Sequence, residues 1–121
     1  MTENATTTYT HFDWPALVAK LGGDETFARA LLGVAQRSSG SMPADLRAAA
    51  AGVEFDAMAR LAHKVKGTAG DICATELREI ASAAEQAARQ ASPESAARLR
   101  DVADHLDGLL RDLQAVAAAA P

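Results

Sequence analysis

Apolar residues recur three and four positions apart along most of this chain. Short clusters of glycine, serine and proline interrupt the rhythm, which is the pattern of amphipathic helices joined by tight turns. The first such stretch is short. Asp13 is placed to cap it, Pro15 is tolerated in its first turn, and Phe12 and Leu17 stand where a hydrophobic staple forms, before Gly22 and Gly23 end it. Asp24 is a second cap, and Phe27, Leu31 and Val34 supply the apolar positions of the helix it starts. The run SSGSMP, Ser38 to Pro43, predicts a kink or brief break, after which Leu46, Ala49 and Ala50 resume the periodicity up to Gly52. We read one bent element there.

From about Glu54 a new helix is expected, with Phe55, Met58, Ala62, Val65, Ala69 and Ile72 forming one stripe that faces the core. The next runs from roughly Ala74 to Ala91 on Leu77, Ile80, Ala81, Ala84 and Ala88. Ser92 and Pro93 then mark a turn, with Ser92 as the cap of a last helix carrying Leu99, Val102, Leu106, Leu109, Leu110, Leu113 and Val116. Long amphipathic segments with short connections predict an all-α fold, an antiparallel up-down four-helix bundle with a short additional N-terminal helix. We place the bundle over residues 11–118, between a flexible N-terminal tail over 1–10 and a frayed C-terminus over 119–121. The starting methionine and the alanine-rich run to Pro121 lead us to expect a free-standing protein.

Composition fits this picture and removes several functions from it. At 121 residues the chain suits one domain. Nearly half its residues are hydrophobic (49%) but only 4% are aromatic, and the abundant alanine favours helices that approach closely over a sheet of branched side chains. A net charge of −4 gives no footing for a nucleic-acid backbone. Cys73 is the only cysteine, so no internal disulfide forms and a reducing compartment is the simpler setting. No apolar run reaches the length of a membrane span, and the threonine-rich start lacks the apolar centre of a signal peptide. We expect a cytoplasmic protein with no membrane and no nucleic-acid partner.

One segment breaks the economy of the rest. Arg60 to Ala74, RLAHKVKGTAGDICA, places glycine twice inside a predicted helix, where each costs about 1 kcal/mol relative to the alanine used nearly everywhere else. His63 lies about a hundred degrees round that helix from the core residue Ala62, at the margin of the exposed face. Lys66 and Gly67, three and four residues on, share its face, and Gly70 lies seven on. A missing side chain at Gly67 clears the surface beside the imidazole for a macromolecular visitor, and Lys66 offers a cation to an anion arriving there.

A neutral imidazole is a good nucleophile near physiological pH, its unperturbed pKa being about 6.5. Phosphoryl transfer is the natural acceptor chemistry. The neighbourhood lacks a carboxylate obviously placed as a base, a glycine-rich loop after a strand, and a metal cluster. No two of the histidines and the cysteine stand at a ligand spacing such as i and i+4, so we expect no metal site. His63 therefore reads as a group acted upon, with the activating machinery supplied by a partner. His11 and His105 read as solvated or partly covered, and Cys73 as a small core residue.

The stretch AHKVKGTAGDICATEL resembles the signature of histidine-containing phosphotransfer (HPt) domains. In that signature an alanine-histidine pair is followed by two variable residues, Lys-Gly, small residues, and an Ile/Leu-Gly-Ala segment before a leucine. Ala62, His63, Lys66, Gly67, Gly70, Ile72, Ala74 and Leu77 fall on the pattern, Cys73 stands where the family commonly has glycine, and the helix order is similar over roughly Phe12 to Val116. The resemblance implies a helical bundle whose exposed histidine receives a phosphoryl group from a receiver-domain aspartate and hands it to another. By the same resemblance Lys66 stabilises the phosphoryl group, Gly67 lets the receiver dock, and Thr68 adds a hydroxyl. Glu85 and Arg89 match positions beside the histidine on the adjacent helix, where Glu85 orients the imidazole. Gly70 and Lys64 complete the surroundings, and Leu17, Val18 and Leu21 of the leading helix offer an apolar part of the docking surface.

Glu85 and Arg89, four apart, also fit a helix-surface ion pair worth only a few tenths of a kcal/mol. The expected activity is that of a phosphocarrier with no independent catalysis. It binds no cofactor itself, since magnesium in such transfers belongs to the receiver partner. Its partners are response-regulator receiver domains and a hybrid histidine kinase, met as a monomer through small reversible interfaces. Two alternatives keep other chemistry open, a phosphoacceptor substrate domain of a histidine kinase and a helical adaptor that is never phosphorylated.

Overall fold

The computed structural model describes residues 9–119, so most of the expected tail, residues 1–8, and residues 120–121 of the expected frayed end lie outside the described residues. Its described residues form six α-helices and no strand. These are α1 (Trp14–Lys20), α2 (Glu25–Ser39), α3 (Met42–Gly52), α4 (Phe55–Asp71), α5 (Thr75–Arg89) and α6 (Ser95–Ala118). The expected caps at the front of the chain are formed. Asp13 accepts from the amide of Ala16 at 3.0 Å, Asp24 accepts from Phe27 at 2.9 Å, and the staple residues Phe12 and Leu17 are both buried.

The element read as one bent helix is two, α2 and α3, separated at Gly40 and Ser41. Both residues keep right-handed dihedrals (φ −60°, ψ −35° and φ −90°, ψ −7°), and Pro43 in the first turn of α3 brings no amide hydrogen to continue the ladder. The chain therefore bends here without reversing. It does reverse between α4 and α5, where Cys73 has φ 61°. Ala74 donates to the carbonyl of Ala69 at 2.8 Å and Cys73 to that of Gly70 at 3.5 Å, the bonding of a Schellman cap whose left-handed position is filled here by cysteine. The end of α5 repeats the device at Ala91 (φ 51°), with Ser92 donating to Ala87 at 2.9 Å. Ser92 does not cap α6 as expected. Its hydroxyl accepts from the amide of Glu94, which occupies the cap position itself.

Helices α4 and α5 pack along their full length as an antiparallel pair. Helix α6 closes the bundle against α3, α5 and α2, and α1 crosses one end, where the amide of Asp13 donates to the Cys73 carbonyl at 3.1 Å. The predicted stripes of α4, α5 and α6 face the core, with Phe55, Ile80 and Leu110 half-buried at its edge and the other members buried. Leu46, Met58, Ile72, Leu99, Leu106, Leu109 and Leu113 are almost wholly removed from water, each such side chain contributing about 1.5–3 kcal/mol. Between them Ala28, Ala62, Ala69, Ala81 and Ala103 are fully covered, which is how helices with few aromatics close on one another.

On α2 the expected stripe is the wrong one. Phe27 and Val34 are 53% and 51% exposed, and the buried face is Ala28, Leu32, Ala35 and Ser39. Adjacent leucines, Leu31 and Leu32, let two phases fit the helical period, and the face of smaller side chains is the one that seats closely in the bundle.

His11 is fastened to α6. Its amide donates to Asp112 Oδ2 at 2.8 Å, its ring Nδ1 lies 3.2 Å from the same oxygen, and the ring rests where a Cβ on Gly108 would overlap it. Gly108→Ala should therefore gain nothing from the better helix former in the wild-type background, because the ring must be displaced. In a His11→Ala background the same change should stabilise by about 1 kcal/mol. Chemical unfolding of the four proteins in this cycle checks the coupling.

Candidate functional site

His63 projects from the middle of α4 with its side chain 65% exposed, while Ala62 and Val65 on either side of it are buried. The ring is not adrift. Its Nδ1 lies 3.1 Å from Oε2 of Glu85, across the antiparallel contact on α5. A carboxylate only accepts, so in the neutral ring Nδ1 carries the hydrogen and Nε2 keeps its lone pair. Within the described residues no hydrogen bond is made at Nε2.

Glu85 is the hub. Its side chain is 8% exposed and receives Lys66 Nζ on Oε1 at 2.7 Å. Arg89 reaches Oε2 through Nε at 3.0 Å and Nη2 at 2.6 Å. The Lys66 ammonium foremost, with the Arg89 guanidinium and the nearby imidazole, pulls the carboxyl down to about 2 against burial, which pushes it up. Glu85 and Arg89 are thus more than the surface pair that their spacing alone allows. Lys66 is likewise more than a loose cation, since it is committed to Glu85 in this state.

Beside the ring opens a surface crevice of about 530 Å³ whose walls include His63, Lys66, Gly67, Gly70, Arg78 and Ser82. A Cβ on Gly67 would meet nothing within 4 Å, whereas one on Gly70 would rest against the Arg78 side chain, 3.4 Å from its Cδ. Among the described residues no packing demand explains glycine at position 67. Lys64 and Thr68, expected near the histidine, are turned instead toward a different crevice lined by Ser38, Ser39 and Met42. They lie roughly 100–140° round α4 from His63, too far to share its surroundings. Leu17, expected on a docking face, is wholly buried, while Val18 and Leu21 are half-buried.

The family model of the Hpt domain matches residues 30–119, about three-quarters of the sequence. The chain belongs to the Hpt domain family. Hpt domains carry out histidine phosphotransfer in two-component systems and interact there with receiver domains and kinases. The match takes in most of α2 and all of α3 to α6, so α1, included in the resemblance read from Phe12 onward, lies outside it. No match was found among curated proteins or solved structures. No helix of this Hpt domain, among the described residues, is long and apolar enough to cross a membrane, and no group of three potential ligands there is placed to hold a metal ion.

Sequence reasoning missed Arg78 and Ser82 in this Hpt domain. The signal was present, since Arg78, Ser82, Glu85 and Arg89 recur at four, three and four residues and so share one face of α5. Without the α4–α5 register nothing tied the first two to His63.

The Glu85 hub carries a pH signature. Its carboxyl sits near 2 in the folded Hpt domain and near 4.5 when unfolded, so its contribution is fully present above pH 4.5 and is lost as pH falls toward 2. The shift corresponds to at most about 3 kcal/mol, reduced because Arg89 is largely in solvent. Denaturant midpoints across this range should show wild type losing its advantage over Glu85→Gln as pH drops. A gap that stays constant from pH 6 to pH 2.5 would contradict it.

Proposed function

We propose that this Hpt domain is a phosphocarrier between receiver domains, with His63 as the phosphoacceptor and residues 11–118 as the working unit. In the forward step the Nε2 lone pair attacks the phosphorus of a receiver aspartyl-phosphate. The N–P bond forms, the acyl P–O bond breaks, and the aspartate leaves as a carboxylate. The ring becomes a phospho-imidazolium while Nδ1 keeps its hydrogen against Glu85. Glu85 thereby faces the positive charge that develops on the imidazole, and the cations of Lys66 and Arg89 screen its own negative charge from the phosphoryl group at the opposite ring edge. The return step to a second receiver runs the same bonds backward, with the imidazole as leaving group.

Lys66 adds a positive charge beside the transferred group, and Gly67 leaves the approach bare. The receiver brings the aspartate and the magnesium ion. A cytoplasmic setting and a monomeric carrier fit this reading, because exchange among partners needs small interfaces that release quickly.

The observation that carries the proposal is an exposed imidazole whose Nδ1 is held by a buried carboxylate and whose Nε2 makes no hydrogen bond within the described residues. The test is incubation with a panel of phosphorylated receivers, then with unphosphorylated ones. An acid-labile, alkali-stable label that moves on to a second receiver is expected. Labelling by a kinase domain alone would make the chain a kinase substrate domain, and no label from any donor would favour an adaptor.

A further inference from the structure

The crevice beside His63 holds a second cation whose disposition differs from that of the first. Lys66 is bonded to Glu85, but the guanidinium of Arg78, on the opposite wall, makes no hydrogen bond or ion pair within the described residues. Its aliphatic stem lies along α4 at Gly70, where even a single added carbon would come into contact with Cδ. The two glycines of the segment therefore do different things. Gly67 leaves open space, and Gly70 gives the Arg78 stem a flat bed. Gly70 is seven residues from His63, which is about 10 Å along the helix axis. That separation places the Arg78 stem at the rim of the crevice, away from the atom that would accept phosphorus.

Charge elsewhere on the molecule sharpens the contrast. The chain carries −4 overall, and all of that excess lies outside α4 and α5, whose acidic and basic residues balance. An acidic visitor therefore meets no net repulsion from the residues of these two helices. At that face Lys66 and Arg89 are held by Glu85, while the Lys20 ammonium donates to the carbonyls of Gly70 and Asp71 at 3.3 and 3.2 Å. Arg78 is left as the crevice cation without an ion-pair partner among the described residues, and although the exposed Glu79 also lines the crevice, the planar fork of donors on Arg78 has the geometry that suits an incoming carboxylate.

We propose that Arg78 is a docking residue of this site, taking a carboxylate on the surface of the incoming receiver and so setting how readily, and which, receivers bind. This rests on the phosphocarrier reading above. It assigns Arg78 to the encounter and not to the reacting phosphoryl group.

The experiment is single-turnover transfer from the phosphorylated full chain to a receiver, followed against receiver concentration for wild type, Arg78→Ala, Arg78→Lys and Arg78→Glu. The proteins are first labelled with phosphoramidate, a small donor that needs no docking. We expect equal labelling, equal lifetimes of the phosphohistidine, and unchanged limiting transfer rates. The half-saturating receiver concentration should rise about tenfold for Arg78→Ala and further for Arg78→Glu, with Arg78→Lys between wild type and alanine and a shallower salt dependence in the alanine variant. Thermal unfolding should be unmoved, since Arg78 is exposed. A changed limiting rate or phosphohistidine lifetime at unchanged half-saturation would place Arg78 on the phosphoryl group and overturn the proposal, as would kinetics identical to wild type. Failure of the wild-type chain to label at His63 is a separate result that removes the carrier reading itself and this inference with it.

Discussion

His63→Gln is expected to abolish the acid-labile phosphoryl label completely, whether the donor is a phosphorylated receiver or phosphoramidate, while leaving the fold within about 0.5 kcal/mol of wild type. The two halves of that expectation have separate physical grounds. An amide nitrogen has its lone pair delocalised into the carbonyl and does not attack phosphorus, so the loss is not a matter of degree. The side chain is mostly in solvent, so its replacement creates no cavity in the core. Glutamine also keeps an N–H donor within reach of Glu85, whose other partners, Lys66 and Arg89, are unaffected. Label and thermal midpoint measured on the same preparations decide it. The remaining histidines serve as internal controls. The His11 ring is tied to Asp112, and His105 Nδ1 lies 3.9 Å from Glu76 on another part of the bundle. Label persisting on His63→Gln would mean that one of them is the acceptor.

Much of this molecule was legible in its sequence because most of its signals are local. The carboxylate caps at Asp13 and Asp24, the staple of Phe12 and Leu17, and the stripes of α4 to α6 each depend on residues a few positions apart, and the structure forms them as the spacing requires. The features that were misread depend on choices made by tertiary packing or on backbone dihedrals that no glycine announces. Two helical phases fit α2, and only contact with the rest of the bundle selects Ala28, Leu32 and Ala35 over Phe27 and Val34. The caps at Cys73 and Ala91 use left-handed dihedrals without the glycine that would announce them. Cysteine at position 73, read as a departure from the Hpt pattern, occupies a backbone conformation that explains why glycine is the common choice there. At the site, His63, Lys66 and Gly67 were found from spacing on a single helix. Burial of Glu85, and the presence of Arg78 and Ser82, follow from the register of α4 against α5, which no single-helix pattern contains.

The sharpest result to expect after His63 concerns Gly67, because there stability and transfer should move in opposite directions. A helical side chain leans toward the N-terminus and covers the turn before its own Cα, so a residue at position 67 covers the surface around His63. In wild type that surface is bare, and a Cβ built at Gly67 meets nothing within 4 Å. Gly67→Gln should therefore fold without strain and gain a few tenths to 1 kcal/mol from the better helix former, seen as a thermal midpoint a few degrees higher. Transfer from a phosphorylated receiver should fall by about a hundredfold or more, since two protein surfaces that must bring an aspartyl phosphate within bonding distance of Nε2 cannot absorb a side chain several ångströms long between them. Gly67→Ala, adding one carbon, should cost far less, and phosphoramidate, which is small enough to pass the new side chain, should still label Gly67→Gln. A stabilised variant that transfers at the wild-type rate would show that glycine is not kept at this position for the receiver's approach. A destabilised one would show a packing demand that the open space around Gly67 does not contain.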